Sequence, residues 1–198
     1  MKILVATHNR GKLLEFRRMF EGTGVDIIGA GDLDRPLSEP EETGSTFAEN
    51  AEIKAAAAVN ETGIAAVGDD SGLCVDALDG RPGIYTARYG GGHDVPFRTK
   101  MELMIGELRD VPDIDRTARF VCSLCLMFPD GRKITAEGEC RGMIGHMISG
   151  TAGFGFDPVF YIGDRSMAEL TPAEKDAVSH RGTALRRLFE EMKKEGII

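Results

Sequence analysis

The sequence has no apolar stretch long enough to cross a membrane and no excess of basic residues. Its net charge is −8, from 24 basic and 32 acidic residues, which argues against a broad surface for the phosphate backbone of nucleic acid. An anionic ligand would therefore need a local basic pocket. The apolar stretch at residues 1–6 is too short for the apolar region of a signal peptide, so we expect a cytoplasmic protein that begins with a strand.

Cysteine is also scarce, with four in 198 residues. Cys122 and Cys125 have the spacing of half a zinc site, but the chain offers no second pair of this kind. The apolar residues on both sides predict a strand, in which side chains three positions apart point to opposite faces. We therefore expect four reduced cysteines with structural roles.

Three common active-site motifs are missing. The sequence has no Gly-x-Gly-x-x-Gly fingerprint for a dinucleotide and no Gly-x-Ser-x-Gly elbow for a nucleophilic serine. The Gly11-Lys12 pair does not belong to a Walker A loop, because Ala6 replaces its first glycine and Leu13 its magnesium-binding Ser or Thr. These absences disfavour a Rossmann-type dinucleotide site, a serine hydrolase and a P-loop enzyme.

The hydrophobic pattern predicts an α/β protein with one folding unit over residues 1–198. Strand-like segments occur at residues 2–6, 25–29, 64–68, 73–76, 117–128, 133–144 and 158–162. Helical patterns cover residues 12–21 and about 182–194, and further helices begin near Thr46, Pro96 and Thr171. A βαβ-like start and a hairpin within residues 117–144 together predict a mixed sheet.

Two adjacent acids, Asp69 and Asp70, stand between Gly68 and Gly72, and we expect them where the strand at residues 64–68 leaves the sheet. Carboxylate oxygens are the ligands that Mg²⁺ prefers, and two neighbouring acids need a cation, water or a donor to relieve their repulsion. An acidic turn is the competing interpretation, because Asp and Gly are common turn formers.

The segment from Thr7 to Lys12, which also contains His8, Asn9, Arg10 and Gly11, links the first strand to the first helix. Free backbone N–H groups at a helix N-terminus favour phosphate, and Lys12 adds a full positive charge. A surface turn with a solvated lysine is an equal alternative for this segment alone.

An acidic loop containing Glu41 and Glu42 precedes the helix that carries Asn50 and Lys54. Glu41 is best explained by favourable charge near a helix N-terminus. If the loop lies opposite Asp70, Glu42 completes a magnesium site, and Lys54 steadies the carboxylates or a phosphate.

Two segments near the C-terminus carry groups that could bind a nucleobase. In the first, Phe154, Gly155, Phe156 and Asp157 offer a ring for stacking and a carboxylate for ring N–H groups, although a tight bend with core aromatics explains the same residues. In the second, Lys175, His180 and Arg181 could converge on one pocket near a helix end.

Taken together, these segments resemble the inosine triphosphate pyrophosphatase family, which hydrolyses non-standard purine nucleoside triphosphates such as ITP, dITP and XTP. The resemblance spans nearly the whole chain and rests on several motifs in order. They are Thr7-x-Asn9-x-Gly11-Lys12, Glu42-Thr43-Gly44-x-Thr46-Phe47-x-Glu49-Asn50-Ala51-x-x-Lys54-Ala55, Asp69-Asp70-Ser71-Gly72-Leu73, Pro82-Gly83-Ile84-Tyr85-Thr86-Ala87-Arg88-Tyr89, Phe154-Gly155-Phe156-Asp157-Pro158 and Ser179-His180-Arg181-Gly182.

The resemblance implies a two-lobed α/β fold, with a long mixed sheet flanked by helices and an active-site cleft between the lobes. It also implies a homodimer that hydrolyses the triphosphate to the monophosphate and pyrophosphate with Mg²⁺. In this sequence the segment Thr7 to Lys12 would hold the triphosphate, Glu42 and Asp70 would bind Mg²⁺, and Asp70 would accept the proton of the attacking water.

The remaining implied roles concern binding of the rest of the substrate. Ser71, the segment Phe154 to Asp157, Lys175, His180 and Arg181 would bind substrate, mostly around the base and sugar. We place Lys54 with Asp70 in the catalytic group, since phosphoryl transfer needs charge neutralisation more than a protein nucleophile.

Two other functions remain open at the level of sequence: a non-catalytic nucleotide sensor on the same fold, and a phosphotransferase that uses Lys12 and Asp70. Chemistry alone does not separate the roles of Asp69 and Asp70. Their assignment depends on the family resemblance.

Overall fold

The computed structural model describes residues 1–198 as a mixed α/β protein. Its strands are β1 (Lys2–Ala6), β2 (Asp26–Gly29), β3 (Ala66–Val75), β4 (Thr117–Met127), β5 (Lys133–Ile144), β6 (Phe160–Ile162) and β7 (Arg165–Ser166). Its helices are α1 (Arg10–Phe20), α2 (Phe47–Thr62), α3 (Phe97–Glu107), α4 (Pro172–Val178) and α5 (His180–Lys194).

The seven strands form one sheet in the order β2-β1-β3-β4-β5-β6-β7. Strand β1 is parallel to both of its neighbours, with Leu4 opposite Ile28 in β2 and Ala66 in β3. Strands β5, β6 and β7 are successively antiparallel. The turn between β4 and β5 is too short for a parallel crossover, so these two strands form the expected hairpin. The prediction of a mixed sheet is confirmed.

The chain divides into two compact units. Unit 1 comprises Met1–Asp70, Cys122–Gly138 and His180–Ile198, and unit 2 comprises Ser71–Val121 and Glu139–Ser179. Each unit has its own apolar core: that of unit 1 includes Phe16 and Leu188, and that of unit 2 includes Met104, Phe120 and Phe160. That the whole chain folds as a single domain stays a prediction.

Strand β3 corrects one expectation. The sequence predicted two short strands with Asp69 and Asp70 at the end of the first, but a single strand runs from Ala66 to Val75 and contains both acids. An acidic pair can remain in a strand because successive side chains point to opposite faces, where each carboxylate meets different cationic partners. Gly68 stays within the strand because α2 packs so closely against it that a side chain would not fit there.

Several smaller predictions are confirmed. All four cysteines are free and buried, and Cys122 and Cys125 lie in β4 in different core clusters. The capping boxes at Thr46 and Thr171 open α2 and α4.

Helices α1 and α5 each begin two residues before the predicted start, so α5 includes His180 and Arg181. None of the helices combines the length and hydrophobicity of a membrane span.

Candidate active site

The N-terminus of α1 forms a structured loop in unit 1. Asn9 caps the helix, and its side-chain oxygen accepts the N–H groups of Gly11 and Lys12 at 2.8 and 3.2 Å. The Thr7 hydroxyl accepts the N–H of Asn9 at 3.1 Å. The adjacent side chains of His8 and Arg10 are exposed. The loop therefore presents an ordered helix N-terminus, in which Asn9 already engages two of the amides that could face an anion.

Lys12 points from this loop to Asp69 on β3. Its Nζ lies 2.6 Å from Asp69 Oδ1 and 3.3 Å from the Asp69 carbonyl oxygen. The other carboxylate oxygen, Oδ2, accepts from Arg181 Nε at 2.6 Å. Asp69 is 1% exposed, so these ion pairs act in a poorly solvated place. Burial alone would raise the pKa of Asp69, but Arg181 and then Lys12 outweigh it and hold that pKa well below its usual value.

Glu15 completes this buried group, and the sequence interpretation missed it. Its Oε2 accepts from Arg181 Nη1 at 2.7 Å, and its side chain is 6% exposed. Glu15 lies one helical turn after Lys12, where the two side chains share a face of α1. That spacing was the available sequence signal, but it did not indicate burial. The group of Lys12, Glu15, Asp69 and Arg181, which we call the Asp69 cluster, holds two positive and two negative charges.

Asp70 has different partners. Its Oδ1 lies 2.7 Å from Lys54 Nζ, and the same ammonium lies 2.6 Å from Glu42 Oε1. Burial lowers the pKa of Lys54, but the negative charge of Asp70 and then of Glu42 prevails and raises it. The pKa of Asp70 is raised by burial, although Lys54 opposes that effect. Two carboxylates thus share one ammonium; we call these three residues the Asp70 cluster.

The carboxylates of the Asp70 cluster are candidate ligands for a divalent metal ion. No group of three or more His, Cys, Asp and Glu side chains that could hold a metal ion is found in residues 1–198. Glu42 and Asp70 nevertheless reach a single cation, since both contact the Lys54 ammonium. Mg²⁺ is commonly bound through one or two carboxylates together with substrate phosphates. The donor set therefore fits an ion shared with a phosphate ligand.

Unit 2 contains a separate group made of Phe154, Asp157 and Lys175. Asp157 Oδ2 accepts from Lys175 Nζ at 2.6 Å and from the Phe154 N–H at 2.9 Å. The ammonium also lies 4.5 Å from the centre of the Phe154 ring, a cation–π contact. Asp157 and Lys175 are 3% and 5% exposed. The group combines an aromatic face, an acceptor and a cationic donor, which can read the edge of a flat polar ring.

Phe156 and Gly155 are the other two candidate residues of the segment from Phe154 to Asp157. The Phe156 side chain is 1% exposed and packs edge-on against Tyr89 and Phe97, so its ring belongs to the core of unit 2. Gly155 has a φ of +65°, which suits the tight bend that was the competing interpretation for this segment.

That Lys175, His180 and Arg181 converge on one pocket stays a prediction. Lys175 contacts Asp157, whereas Arg181 contacts Asp69 and Glu15. Arg181 lies in the second position of α5. His180 is 5% exposed at the start of the same helix, and Ser71 is half-buried in β3.

Comparisons with known proteins identify the family of this chain. The profile of the Ham1 family matches residues 3–191. This chain belongs to the Ham1 family. A relative from Exiguobacterium sibiricum named dITP/XTP pyrophosphatase is 49% identical over 190 residues, covering 95% of each chain. Another of the same name, from Geobacter sulfurreducens, is 44% identical over 99% of this chain and 98% of the relative.

Solved structures of Ham1 proteins have the same fold. A HAM1 protein from Coxiella burnetii is 36% identical with a TM-score of 0.87, covering 98% of this chain and 99% of that one. A nucleoside-triphosphatase, dITP/XTP pyrophosphatase, from Mycobacterium abscessus is 45% identical with a TM-score of 0.72, covering 95% of this chain and 98% of that one. The family resemblance carried by the sequence motifs is confirmed.

Proposed function

We propose that this Ham1 protein hydrolyses non-standard purine nucleoside triphosphates, such as dITP, XTP and ITP, to the nucleoside monophosphate and pyrophosphate. The structural observation that carries the proposal is the sharing of Lys54 between Glu42 and Asp70, beside a helix N-terminus that carries Lys12. This combination of carboxylates and ammonium groups suits a metal-bound polyphosphate. The names of the relatives support hydrolysis of deoxyinosine and xanthosine triphosphates.

Magnesium is the expected cofactor, with Glu42 and Asp70 as its protein ligands. When bound, it would supply positive charge that neutralises the phosphate oxygens. Lys12 would bind a phosphate and leave Asp69 paired with Arg181. Asp70 would orient the attacking water and accept its proton, while Lys54 keeps the neighbouring carboxylates in place.

The group in unit 2 would select the base. Phe154 offers a ring on which a purine can stack, and the Lys175 ammonium is a donor that can pair with a 6-oxo oxygen. The 6-amino group of ATP is itself a donor, so neither it nor the Lys175 ammonium would find an acceptor in the other. A buried polar mismatch discriminates strongly, because the unpaired groups lose their hydration. His180 and Ser71 stay proposed substrate contacts.

A product assay with dITP, MgCl₂ and the purified protein tests the proposed function, with dATP as the comparison nucleotide. We expect dIMP and pyrophosphate from dITP, and much slower turnover of dATP. Release of orthophosphate would contradict a pyrophosphatase. Unchanged dITP would favour the nucleotide sensor, and phosphate appearing on a second acceptor would favour the phosphotransferase.

A further inference from the structure

We propose that Asn50 is a positioning residue that fixes both carboxylates of the Asp70 cluster, Asp70 directly and Glu42 through its loop. The proposal rests on the proposed function, because the Asp70 cluster is the reaction centre assigned above. It adds a residue that touches neither substrate nor metal in that assignment. Its evidence is the pair of hydrogen bonds that one buried amide makes in opposite directions.

Asn50 lies in the first turns of α2 and is 0% exposed. Its Nδ2 donates to Asp70 Oδ2 at 3.3 Å, and its Oδ1 accepts the N–H of Gly44 at 2.9 Å. The amide therefore uses a donor towards the strand and an acceptor towards the loop. Neither a carboxylate nor an apolar side chain of the same size could make both contacts.

The contact with Asp70 restricts the orientation of its carboxylate. Lys54 engages Oδ1 at 2.7 Å, and Asn50 engages Oδ2. A carboxylate held at one oxygen can still turn about its Cβ–Cγ bond, whereas one held at both oxygens cannot turn without losing a contact. Both donors come from α2, four residues apart, so one rigid helix sets the direction in which Asp70 faces water and metal.

The contact with Gly44 restricts the loop that carries Glu42. A Cβ at Gly44 would lie 2.6 Å from Asn50 Oδ1 and 2.7 Å from Glu49 Cβ, so the loop backbone approaches the amide more closely than another residue type would allow. Glu42 is two residues before this anchor and contacts Lys54. Asn50 thus ties the loop and the strand to the same point of α2.

The surroundings of Asn50 argue against a purely structural amide. The other buried positions of α2 are all apolar: Ala51, Ala55, Ala58 and Val59. A buried amide costs stability when its groups are unmet, and an apolar residue would avoid that cost. The two hydrogen bonds explain why the position is polar, and both of them end on the Asp70 cluster or its loop.

Two substitutions at Asn50 separate positioning from stability. Asn50→Asp keeps the shape and the acceptor for Gly44 but loses the donor to Asp70. Asn50→Ser is neutral and smaller, and it decides the matter if the aspartate variant does not fold. Val59→Ala is the matched control. Val59 also lies in α2 and is 8% exposed, but it packs in an apolar cluster with Leu4 and Leu37 and not in the Asp70 cluster.

The first measurement is steady-state hydrolysis of dITP by folded protein, checked by circular dichroism. We expect kcat to fall about 100-fold in Asn50→Asp and about 10-fold in Asn50→Ser, with KM changed less than about threefold, since the lost contact orients a reacting group. Val59→Ala should lower the melting temperature and leave kcat unchanged.

The second measurement does not depend on turnover. Binding of Mn²⁺ in the presence of pyrophosphate should weaken about 10-fold in Asn50→Ser and stay unchanged in Val59→Ala, because the two carboxylates are no longer held together.

Variants at Asn50 that keep wild-type kcat and Mn²⁺ affinity while losing stability as Val59→Ala does would overturn the proposal. If wild-type protein leaves dITP unchanged, the proposed function fails instead, and the Mn²⁺ measurement still tests Asn50.

Discussion

Asp69 and Asp70 are the same side chain on consecutive residues of β3, yet their partners give them different properties. Asp69 is held by Lys12 and Arg181, two full positive charges, and burial keeps water away from these pairs. Asp70 shares the single ammonium of Lys54 with Glu42. A carboxylate that is less completely neutralised is better suited to accept a proton or to meet a metal.

Asp70→Asn should abolish most hydrolysis while the protein stays folded. The amide keeps the size of the side chain and can still accept from Lys54, but it cannot take a proton or carry a charge to a metal. We expect kcat for dITP to fall at least about 100-fold, with little change in the circular dichroism spectrum. Asp79→Asn makes the same chemical change at an exposed turn and should retain activity. Near-normal turnover of Asp70→Asn would remove Asp70 from the proposed role.

Glu15→Gln should destabilise the protein because it leaves the Asp69 cluster with an excess positive charge. Arg181 keeps a hydrogen-bond acceptor but loses one of its two buried anionic partners. Removing one partner of a buried pair costs about 3 kcal/mol of unfolding free energy. Urea denaturation of the wild-type and variant proteins measures this change in unfolding free energy. Glu190→Gln, at an exposed position of α5, should change stability by less than about 0.5 kcal/mol. Equal effects of the two substitutions would contradict the assignment of Glu15 to a buried cluster.

Among the elements, β3 and α2 form the pair that positions the Asp70 cluster, and a glycine allows them to approach. An added Cβ at Gly68 would collide with the carbonyl oxygen of Ala51 and lie 2.8 Å from the N atom of Ala55. Both groups are helix backbone, which cannot move without disturbing the helix. The glycines that flank the two acids looked like turn residues, but Gly68 serves helix–strand contact.

Opposite effects are expected from two Gly→Ala substitutions. Gly68→Ala should lower stability by about 1–3 kcal/mol, because the methyl group forces α2 away from β3. Gly106→Ala should raise it by about 0.5–1 kcal/mol, because Gly106 lies in α3 with nothing within 4 Å of a new Cβ. Thermal or chemical denaturation of both variants tests this. A stabilised Gly68→Ala protein would contradict the close packing of α2 on β3.

Helices α2 and α4 could be predicted from local sequence because their start signals are short-range. Thr46 with Glu49, and Thr171 with Glu174, satisfy each other within a single turn. Strand β3 could not be predicted in the same way. Its Gly-Asp-Asp-Ser-Gly segment has turn composition, and the cations that stabilise the acids in the strand come from other elements.

For the molecule as a whole, the family resemblance predicts a homodimer, and this stays a prediction. The chain has a mass of 21.4 kDa, so light scattering after size-exclusion chromatography should give twice that value, about 43 kDa. The measurement should be repeated over a tenfold range of protein concentration, because a weak dimer dissociates on dilution. A constant mass of one chain would contradict the expectation.

The sequence by itself determined the α/β class, the parallel start of the sheet, the capped helices and the Ham1 membership, because these depend on local patterns and ordered motifs. Only the tertiary structure decided which charged residues of the Asp69 and Asp70 clusters pair with one another. Arg181 reaches Asp69 across 112 positions of sequence, and a second hydrogen bond joins the same guanidinium to the buried Glu15. Such pairings depend on which charges the fold withdraws from water together, since burial strengthens attraction between opposite charges and makes an unpaired charge costly.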